Sequence, residues 1–464
     1  MLSFVLTIGI WTTYLALQRH PVVPAVEMKA SCIDQFVRRP VLLQLEQDPS
    51  VGRKSCMKET GTGPAVGANP TPLLVVPKTG RRRVAVAGCS SYSAADVEAA
   101  LTEVLEAVGG MSDFVKAGQT ILVKPNLFGA HPPEHAATTH PQLVRQVVIL
   151  CFKAGAGRVW VGDSPVSMRS EAQLWSRTGM ESAVAGTGAE LKSWQVKQTP
   201  LICGDDVLAV PEWYSQVDVV ISLPKLKTHS LTTITCGLKN VYGMVSGTAK
   251  SQFHVKYPSP LAMSAFLVRV FARLQPQLTI ADAVMAMEGN GPAHGRPSKV
   301  GLLLASRDPV ALDAVACTAL RIPPAMVPMI RLAAADGLGV MDESAIDCVG
   351  SGASRLKSVS LKPSVAKYLG RVPEPLFRLS TRFLRLRPKI KNRLCAKCGI
   401  CTGICPKKAI RKDERTGYPR IDQAGCIDCF CCVESCPDGA IAVQLYLGNL
   451  LCIAQQKQRK VVGR

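Results

Sequence analysis

Two cysteine-rich runs decide the fold near the end of the chain: Cys395-Ala-Lys-Cys398-Gly-Ile-Cys401-Thr-Gly-Ile-Cys405-Pro406 and Cys426-Ile-Asp-Cys429-Phe-Cys-Cys432-Val-Glu-Ser-Cys436-Pro437. Both fit the spacing C-x₂-C-x₂-C-x₃-C-P. In that spacing the first three thiolates wrap one 4Fe–4S cubane, and the fourth, followed by proline, binds the other cubane. The runs therefore predict two 4Fe–4S clusters. The predicted ligands are Cys395, Cys398, Cys401 and Cys436 for the first cluster, and Cys426, Cys429, Cys432 and Cys405 for the second.

Zinc is the alternative metal for clustered cysteines, but zinc ribbons use paired C-x₂-C knuckles rather than two quartets that end in Cys-Pro. The segment resembles the bacterial two-cluster ferredoxin domain, including Ala409-Ile410 and Ala440-Ile441 after the two runs. That resemblance implies transfer of single electrons at low potential. Cys431 does not fit the spacing, and we expect it to be a small packed hydrophobic residue.

Basic side chains surround the first cluster, and they are Lys407, Lys408, Arg411 and Lys412. Positive charge near a cluster favours its reduced form and attracts an acidic partner protein. The sequence therefore predicts a redox partner that carries negative charge.

Upstream, residues 81–355 alternate between strand and helix patterns, and we predict an α/β domain with a largely parallel sheet flanked by helices. The C-terminal segment, residues 395–445, is predicted to be a small α+β ferredoxin-like domain. The predicted strands are Val84–Ala87, Ile121–Val123, Val159–Val161, Val217–Leu223, Leu278–Ala281 and Val300–Ala305. The predicted helices are Asp96–Val108, Gln142–Ala154, Asp313–Leu320 and Ala325–Ala335.

Polar motifs follow several of these strands at the point where each is predicted to end. A single such residue is usually a helix cap or a turn residue. Several on one edge of a parallel sheet instead indicate a cleft, because ligands bind beyond the carboxyl ends of parallel strands. The motifs are Lys124-Pro125-Asn126, Gly162-Asp163-Ser164-Pro165, Pro224-Lys225-Leu226-Lys227-Thr228-His229, Lys239-Asn240, Asp282, Glu288-Gly289-Asn290-Gly291-Pro292 and Asp308-Pro309.

The residue types in these motifs suggest roles. The lysines would attract a carboxylate or phosphate group, and the carboxylates would bind a hard divalent metal or move protons. A histidine in the cleft would serve as a general acid or a ligand. The candidate catalytic residues are Lys225, Lys227, His229, Asp163 and Glu288. The candidate anion-binding residues are Lys124, Asn126, Lys239 and Asn240.

The same motifs, together with Gly237-Leu238-Lys239-Asn240 and Asp308-Pro309-Val310-Ala311-Leu312-Asp313, resemble domain-of-unknown-function family 362 over about residues 84–340. The segments Lys225–His229 and Gly289–Pro292 are the most specific parts of the resemblance. Members that resemble this chain often carry a ferredoxin module. The family has no assigned reaction, so the resemblance implies an architecture and the location of a site.

Other stretches give weaker indications. Residues 1–20 are apolar, slightly short for a membrane anchor, and equally consistent with an over-long gene start or a buried helix. Residues 21–80 look poorly structured, and residues 446–464 form a basic tail. The basic linker, residues 356–394, carries a helical pattern over 376–387 that would suit an anionic membrane surface or a helix packed on its own domain.

Composition and missing motifs narrow the function. The net charge is +21, but aromatic residues are not interleaved with the basic run and no nucleic-acid motif is present, so we expect no nucleic-acid partner. Eighteen cysteines in 464 residues are too sparse for a disulfide scaffold, and thiolate metal sites favour a reducing, cytoplasmic location. No glycine-rich nucleotide motif follows a strand. His131, His135 and His140 lie in a proline-rich stretch that better fits the start of a helix than a metal site.

Two functional hypotheses follow. In the first, the chain is an iron–sulfur oxidoreductase whose clusters exchange electrons with a small anionic substrate or cofactor in the cleft. In the second, it is an electron-transfer or maturation partner without catalysis of its own, which docks on an acidic protein or on the cytoplasmic face of a membrane through residues 1–20 or 376–387.

Overall fold

The computed structural model describes residues 80–165, 170–229, 231–247, 249–289, 291–364 and 384–447. The strands are β1 (Arg82–Gly88), β2 (Thr120–Pro125), β3 (Arg158–Val161), β4 (Glu190–Leu191), β5 (Gln198–Cys203), β6 (Asp206–Pro211), β7 (Val219–Leu223), β8 (Lys225–His229), β9 (Thr233–Thr235), β10 (Leu278–Glu288), β11 (Arg296–Ser306), β12 (Ile346–Val349), β13 (Leu384–Ile390), β14 (Ile410–Lys412), β15 (Pro419–Ile421) and β16 (Ile441–Leu447).

The α-helices alternate with many of these strands. They are α1 (Ala94–Ala107), α2 (Met111–Phe114), α3 (Pro141–Lys153), α4 (Glu171–Thr178), α5 (Met180–Val184), α6 (Gly237–Asn240), α7 (Ala249–Lys256), α8 (Pro260–Arg273), α9 (Pro309–Ala316), α10 (Pro328–Ala335), α11 (Ala353–Ser358), α12 (Ile400–Ile404) and α13 (Cys431–Glu434). Short 3₁₀ turns occur at Pro133–His135, Glu212–Gln216, Val241–Met244, Cys317–Leu320, Pro324–Met326, Glu343–Ala345 and Asn392–Leu394.

Within the described ranges, ten strands form one large sheet with the order β12-β1-β11-β10-β7-β2-β3-β4, and β8 bridges β10 and β9. The pairs β2–β3, β2–β7, β7–β10 and β1–β12 are parallel, while β11 runs antiparallel to both β1 and β10. The protein is therefore a mixed α/β protein with a largely parallel central sheet, as the alternating pattern predicts.

The sheet is covered on both faces because its strands alternate between two cores. On one face, Leu122 and Val220 pack with Phe266 and Phe271 of α8. On the other face, Ile121 packs against the helices α1 and α3. This period of two assigns successive residues of each strand to opposite layers.

Helix ends follow the local sequence signals. Ser93 caps α1, and its side chain accepts a hydrogen bond from Asp96 N. His140 caps α3 ahead of Pro141, so the His-rich stretch contains a helix boundary, as expected. Asp308 caps α9 and accepts hydrogen bonds from the backbone of Val310 and Ala311. That motif is therefore a helix cap, the commoner explanation for such a residue.

The basic linker differs from its predicted form. The helical pattern over 376–387 is wrong for its last four residues, because β13 begins at Leu384 and pairs antiparallel with β16 from Leu384↔Leu447 to Ile390↔Ile441. Leucine and arginine alternate from 384 to 387, a period of two that also suits a strand. Residues 365–383 lie outside the described residues. β16 likewise extends to Leu447, past the predicted start of the basic tail.

The apolar segment 1–20 and the region 21–79 also lie outside the described residues. Within the described ranges, no helix has both the length and the apolar character that a membrane crossing requires.

Candidate functional site

A buried ion pair anchors the carboxyl edge of the sheet. Lys124 ends β2 and Asp163 follows β3, and Lys124 Nζ lies 2.8 Å from Asp163 Oδ1. Both side chains are almost fully buried. A Cβ atom at Gly243 would collide with both groups, so only glycine permits this close approach of the backbone. Parallel strands thus bring together two residues 39 positions apart, as their place after neighbouring strands predicts.

Two asparagines extend the polar network from this ion pair. Asn240 Oδ1 accepts hydrogen bonds from Lys124 Nζ at 3.2 Å and from Asn126 Nδ2 at 3.1 Å. Asn240 Nδ2 donates to Ser222 Oγ at 2.9 Å. Asn126 Oδ1 then accepts from Lys227 Nζ at 2.7 Å. The two amides thereby connect Lys124 to Lys227.

The network forms one wall of a cavity with a volume of about 80 Å³. Three lysines face this cavity. Lys227 is fully buried, Lys250 is 7% exposed, and Lys239 is partly exposed. The polar side chains that line the cavity are Asn126, Asp163, Ser164, Lys227, Thr235, Lys239, Asn240, Tyr242, Lys250, Ser251, His254 and Glu434.

The cysteine-rich segment forms the opposite wall. Ile404 of α12 and Cys431 and Glu434 of α13 line the same cavity. His294 holds α13 in place, because its Nε2 lies 2.9 Å from the carbonyl oxygen of Val433. The α/β domain and the cysteine-rich segment therefore build the cavity jointly. Cys431 is buried, as expected of a packed hydrophobic residue, but it also borders the cavity.

His229 lies beside this boundary with a defined tautomer. Its Nδ1 accepts hydrogen bonds from the backbone N–H groups of Leu231 and Thr232, so the ring proton sits on Nε2. Among the described residues Nε2 has no hydrogen-bond partner, and it lies 3.9 Å from Glu434 Oε1. Burial, with the charge of Lys239, lowers the pKa of His229 well below its usual value, so the ring is neutral.

Four predicted site residues do not line the cavity: Lys124 and His229 adjoin lining residues, whereas Lys225 and Glu288 are engaged elsewhere. Lys225 pairs with buried Asp282 at 2.9 Å, and its Nζ also donates to Tyr92 Oη at 2.7 Å. Tyr92 Oη in turn donates to Asp282 Oδ1 at 2.6 Å. Glu288 accepts from the backbone N–H of Lys362 at 2.9 Å. β8 also carries Lys225 and Lys227 in a strand, whereas their motif is predicted to be a loop after β7.

The carboxylates do not converge on a point that would suit a divalent metal. Asp163, Asp282 and Glu288 are each engaged by a different partner, and within the described ranges no three His, Cys, Asp or Glu side chains could hold a single metal ion. A cubane places a different demand on its ligands from a single metal ion, because each of its four thiolates binds a different iron atom.

The eight predicted cluster ligands gather in two groups. Cys395, Cys398, Cys401 and Cys436 line one small cavity together with Ile390, Ala440 and Ile441. The charges of the other three cysteines, added to burial, raise the pKa of Cys401 to about 11. Burial, with the charges of Cys429, Cys426, Cys401 and Cys405, likewise raises the pKa of Cys432, so Cys405 of the first run lies near the cysteines of the second. Thiols grouped in this way fit the ligands of a cubane. Repulsion between neighbouring thiolates keeps the thiols protonated, and iron would replace these protons when it binds.

Sequence reasoning missed several cavity residues, namely Tyr242, Lys250, His254 and Glu434. Lys250 and His254 lie on α7, which follows no strand end and carries no motif. Glu434 lies between two cluster cysteines, but nothing in a single sequence shows that α13 faces the sheet.

The fold and the cysteine groups define a class: an α/β protein joined to a ferredoxin-type iron–sulfur segment with electron-transfer capacity. The chain belongs to the family described as a domain of unknown function (DUF362), whose model matches residues 121–318. Residues 394–441 match a 4Fe-4S dicluster domain. The resemblance read from the motifs is thereby confirmed for both parts.

Relatives fit the same two parts. A thylakoid-associated protein of Synechocystis sp. is 35% identical over 271 residues, which is 56% of this chain and 80% of the relative. The pyruvate synthase subunit PorD of Methanocaldococcus jannaschii is 40% identical over 55 residues, 12% of this chain and 63% of that subunit. The lactate racemase apoprotein of Thermoanaerobacterium thermosaccharolyticum aligns with a TM-score of 0.35 and 11% identity, over 51% of this chain and 56% of that structure.

Anion binding in the cavity should weaken as pH rises through neutrality. Burial lowers the pKa of Lys250 to about 7. The charge of Asp163 opposes this shift, and the charges of Lys124 and Lys239 add to it. Lys250 is therefore a cation below pH 7 and a neutral amine above it. Sulfate affinity, measured by calorimetry between pH 6 and 8.5, should fall by up to about tenfold per unit above pH 7.

Sulfate keeps its charge throughout this pH range, and His254, whose pKa burial lowers to about 4, stays neutral. Lys250→Met is the matched control, because it removes the amine and keeps the other side chains of the cavity. A pH profile of sulfate affinity that is as steep in Lys250→Met as in the parent would contradict this role of Lys250.

Proposed function

We propose that the chain is an iron–sulfur oxidoreductase that binds two 4Fe–4S clusters and exchanges electrons with a small anionic substrate or cofactor in the shared cavity. The observation that carries this proposal is the composition of the cavity wall. Lys227, Lys239 and Lys250 of the α/β domain face Cys431 and Glu434 of the iron–sulfur segment.

The lysines account for the anionic character of the ligand. Among the described residues Lys239 has no hydrogen-bond or ion-pair partner, and its nearest opposite charge is Glu434. Lys250 Nζ makes one hydrogen bond, to the carbonyl oxygen of Ser164 at 2.6 Å. Buried cations without a carboxylate partner are costly, and an anionic ligand would offset that cost.

The position of α13 accounts for the redox role. Cys431 borders the cavity, and the next residue, Cys432, belongs to the second group of cysteines. Cys431 also lies close to Cys429 of that group. The clusters, when bound, would supply single electrons. The backbone of α13 would hold the second of them at the cavity wall.

Ligand-dependent reoxidation tests this function. Anaerobic protein is reduced with dithionite, freed of excess reductant, and mixed with a panel of small carboxylates and phosphates while the cluster absorbance is followed. At least one anion should reoxidise the clusters. Lys239→Gln should raise its half-saturating concentration by at least about tenfold, because it removes one charge-assisted hydrogen bond.

The surface variant Lys197→Gln is the matched control, since its side chain is 78% exposed, pairs with Glu212 and does not line the cavity. If no anion in the panel reoxidises the clusters, or if Lys239→Gln behaves like Lys197→Gln, the proposed oxidoreductase function fails.

The surface of the iron–sulfur segment around Cys398 suits a docking partner. A docking site there also fits the alternative hypothesis, in which the protein is an electron carrier without catalysis of its own. Cys398 of the first group is exposed, and Leu394 nearby is 45% exposed. Three exposed basic residues surround them, Lys391, Arg393 and Lys397. An apolar centre with a basic rim fits an acidic one-electron carrier protein. We propose that such a partner exchanges electrons at the first cluster.

Salt dependence tests this docking. Electron transfer is measured with two small redox proteins of similar potential and opposite net charge. The rate with the acidic protein should fall as salt rises, and Lys397→Glu should slow it. Arg331→Glu, an exposed charge on α10, is the control. Equal rates with the two proteins at low salt would contradict the docking proposal.

We propose that the protein lies in the cytoplasm. Thiolate clusters suit the reducing cytoplasm. A relative is described as thylakoid-associated, which supports the proposal that this protein associates with a membrane surface. Residues 1–20 and 376–383, the predicted contacts, lie outside the described residues.

A further inference from the structure

Lys227 differs from the other two buried lysines of the sheet. Lys124 and Lys225 each pair with a carboxylate, at 2.8 and 2.9 Å. Lys227 is equally buried, but its Nζ donates only to Asn126 Oδ1 at 2.7 Å and to the carbonyl oxygen of Ala137 at 2.8 Å. No carboxylate among the described residues forms an ion pair with it. Its partners therefore provide two acceptors and no counter-charge.

This environment favours a neutral amine. A buried ammonium without a counter-charge loses its hydration, and here Lys225 and Lys239 add repulsion. Burial first, and these two charges next, lower the pKa of Lys227 well below its usual value. A neutral amine has two N–H bonds, and the two acceptors use both. Its lone pair is then not engaged by either acceptor, and Lys227 lines the cavity.

The neighbours of Lys227 define what that lone pair would meet. Lys239 and Lys250 lie on the same cavity and suit a carboxylate. The small volume, about 80 Å³, restricts the ligand to a few heavy atoms. A desolvated lysine amine adds to carbonyl carbon, and this is the usual chemistry of a buried lysine with a free lone pair.

We infer that Lys227 is a nucleophile that captures the carbonyl carbon of a small 2-oxo acid as an imine, while Lys239 and Lys250 hold the carboxylate. This inference rests on the anion-binding cavity of the proposed function and names its substrate class. The amine lone pair forms the C–N bond, and the carbonyl oxygen leaves as water with the two hydrogens of the amine. No oxidant or reductant is consumed in this step.

Reductive trapping tests the inference on the full chain, isolated anaerobically with its iron. The protein is incubated at pH 7 with pyruvate or glyoxylate and sodium cyanoborohydride, and adducts are located by peptide mass spectrometry. Exposed lysines are protonated at this pH and react slowly. The expected result is an adduct on Lys227 that saturates at low concentrations of the oxo acid, well before exposed lysines are labelled.

Variants separate this role from a structural one. Lys239→Gln and Lys250→Gln should lower adduct formation on Lys227 at least about tenfold, as each weakens carboxylate binding. Lys227→Met should remove the adduct, with retained iron content and circular dichroism showing that it folds. Lys225, which is buried but paired with Asp282, should stay unlabelled in all of them.

Absence of a Lys227 adduct with both oxo acids, or labelling of Lys227 no faster than exposed lysines, would overturn the inference. If the clusters are still reoxidised by an anion in that case, the proposed function stands and only the imine is wrong. An adduct that is unaffected by Lys239→Gln and Lys250→Gln would overturn the assignment of the carboxylate site.

Discussion

Replacing Cys395 and Cys436 together by alanine should leave one 4Fe–4S cluster, whereas replacing Cys395 and Cys405 should leave none. The reason is the crossed pairing: Cys436 joins the cysteines of the first run, and Cys405 joins those of the second. The first double variant removes two ligands from one cubane. The second removes one ligand from each cubane.

Iron analysis and electron paramagnetic resonance of anaerobic protein check this expectation. The Cys395/Cys436 variant should retain about four iron atoms per chain and one reduced-cluster signal, and the Cys395/Cys405 variant close to none. Cys431→Ala is the control and should keep both clusters, because it is not a predicted ligand. The reverse outcome for the two double variants would show that each run binds its own cluster.

The second large effect concerns stability. Lys124→Met should lower the free energy of unfolding of the α/β domain by about 3–5 kcal/mol, because it leaves the carboxylate of Asp163 buried without its partner. Asp163→Asn should be destabilising for the corresponding reason. The exposed pair Lys197–Glu212 provides the contrast, and Lys197→Met should cost less than about 1 kcal/mol.

Urea unfolding followed by tryptophan fluorescence measures these differences, since Trp160 and Trp194 are buried in this domain. The double variant Lys124→Met with Asp163→Leu should recover part of the loss, as it removes both charges. Equal stability of Lys124→Met and Lys197→Met would show that breaking the buried pair does not lower the free energy of unfolding by the expected amount of about 3–5 kcal/mol.

Much of the fold could be predicted because its signals are local. The strands β2 and β3 contain the uninterrupted apolar runs Ile121–Val123 and Val159–Val161, and the helices predicted from Asp96 and Gln142 begin within two residues of those positions, at Ala94 and Pro141. Cysteine spacing is also local, so the grouping of the ligands follows from a few turns of chain. The edge location of Lys124 and Asp163 needed only the rule that parallel strands end together.

The remaining errors have a common physical cause, which is tertiary contact. Lys225 and Lys227 look like loop residues because they are charged, yet β8 pairs with β10 and the neighbouring polar groups satisfy both lysines. Residues 384–387 fit both the helical period and the strand period of two, and only the pairing with β16 determines that they form a strand. Lys250 and Glu434 line the same cavity although 184 residues separate them, and no local pattern encodes that arrangement.

The most direct test of the central claim is electron paramagnetic resonance of the dithionite-reduced protein, isolated anaerobically, combined with iron and sulfide analysis. Two magnetically interacting 4Fe–4S signals, with about eight iron atoms per chain, are the expected result. Protein that contains zinc in place of iron, or a single isolated signal at full iron content, would contradict the account of a two-cluster module built against the lysine cavity.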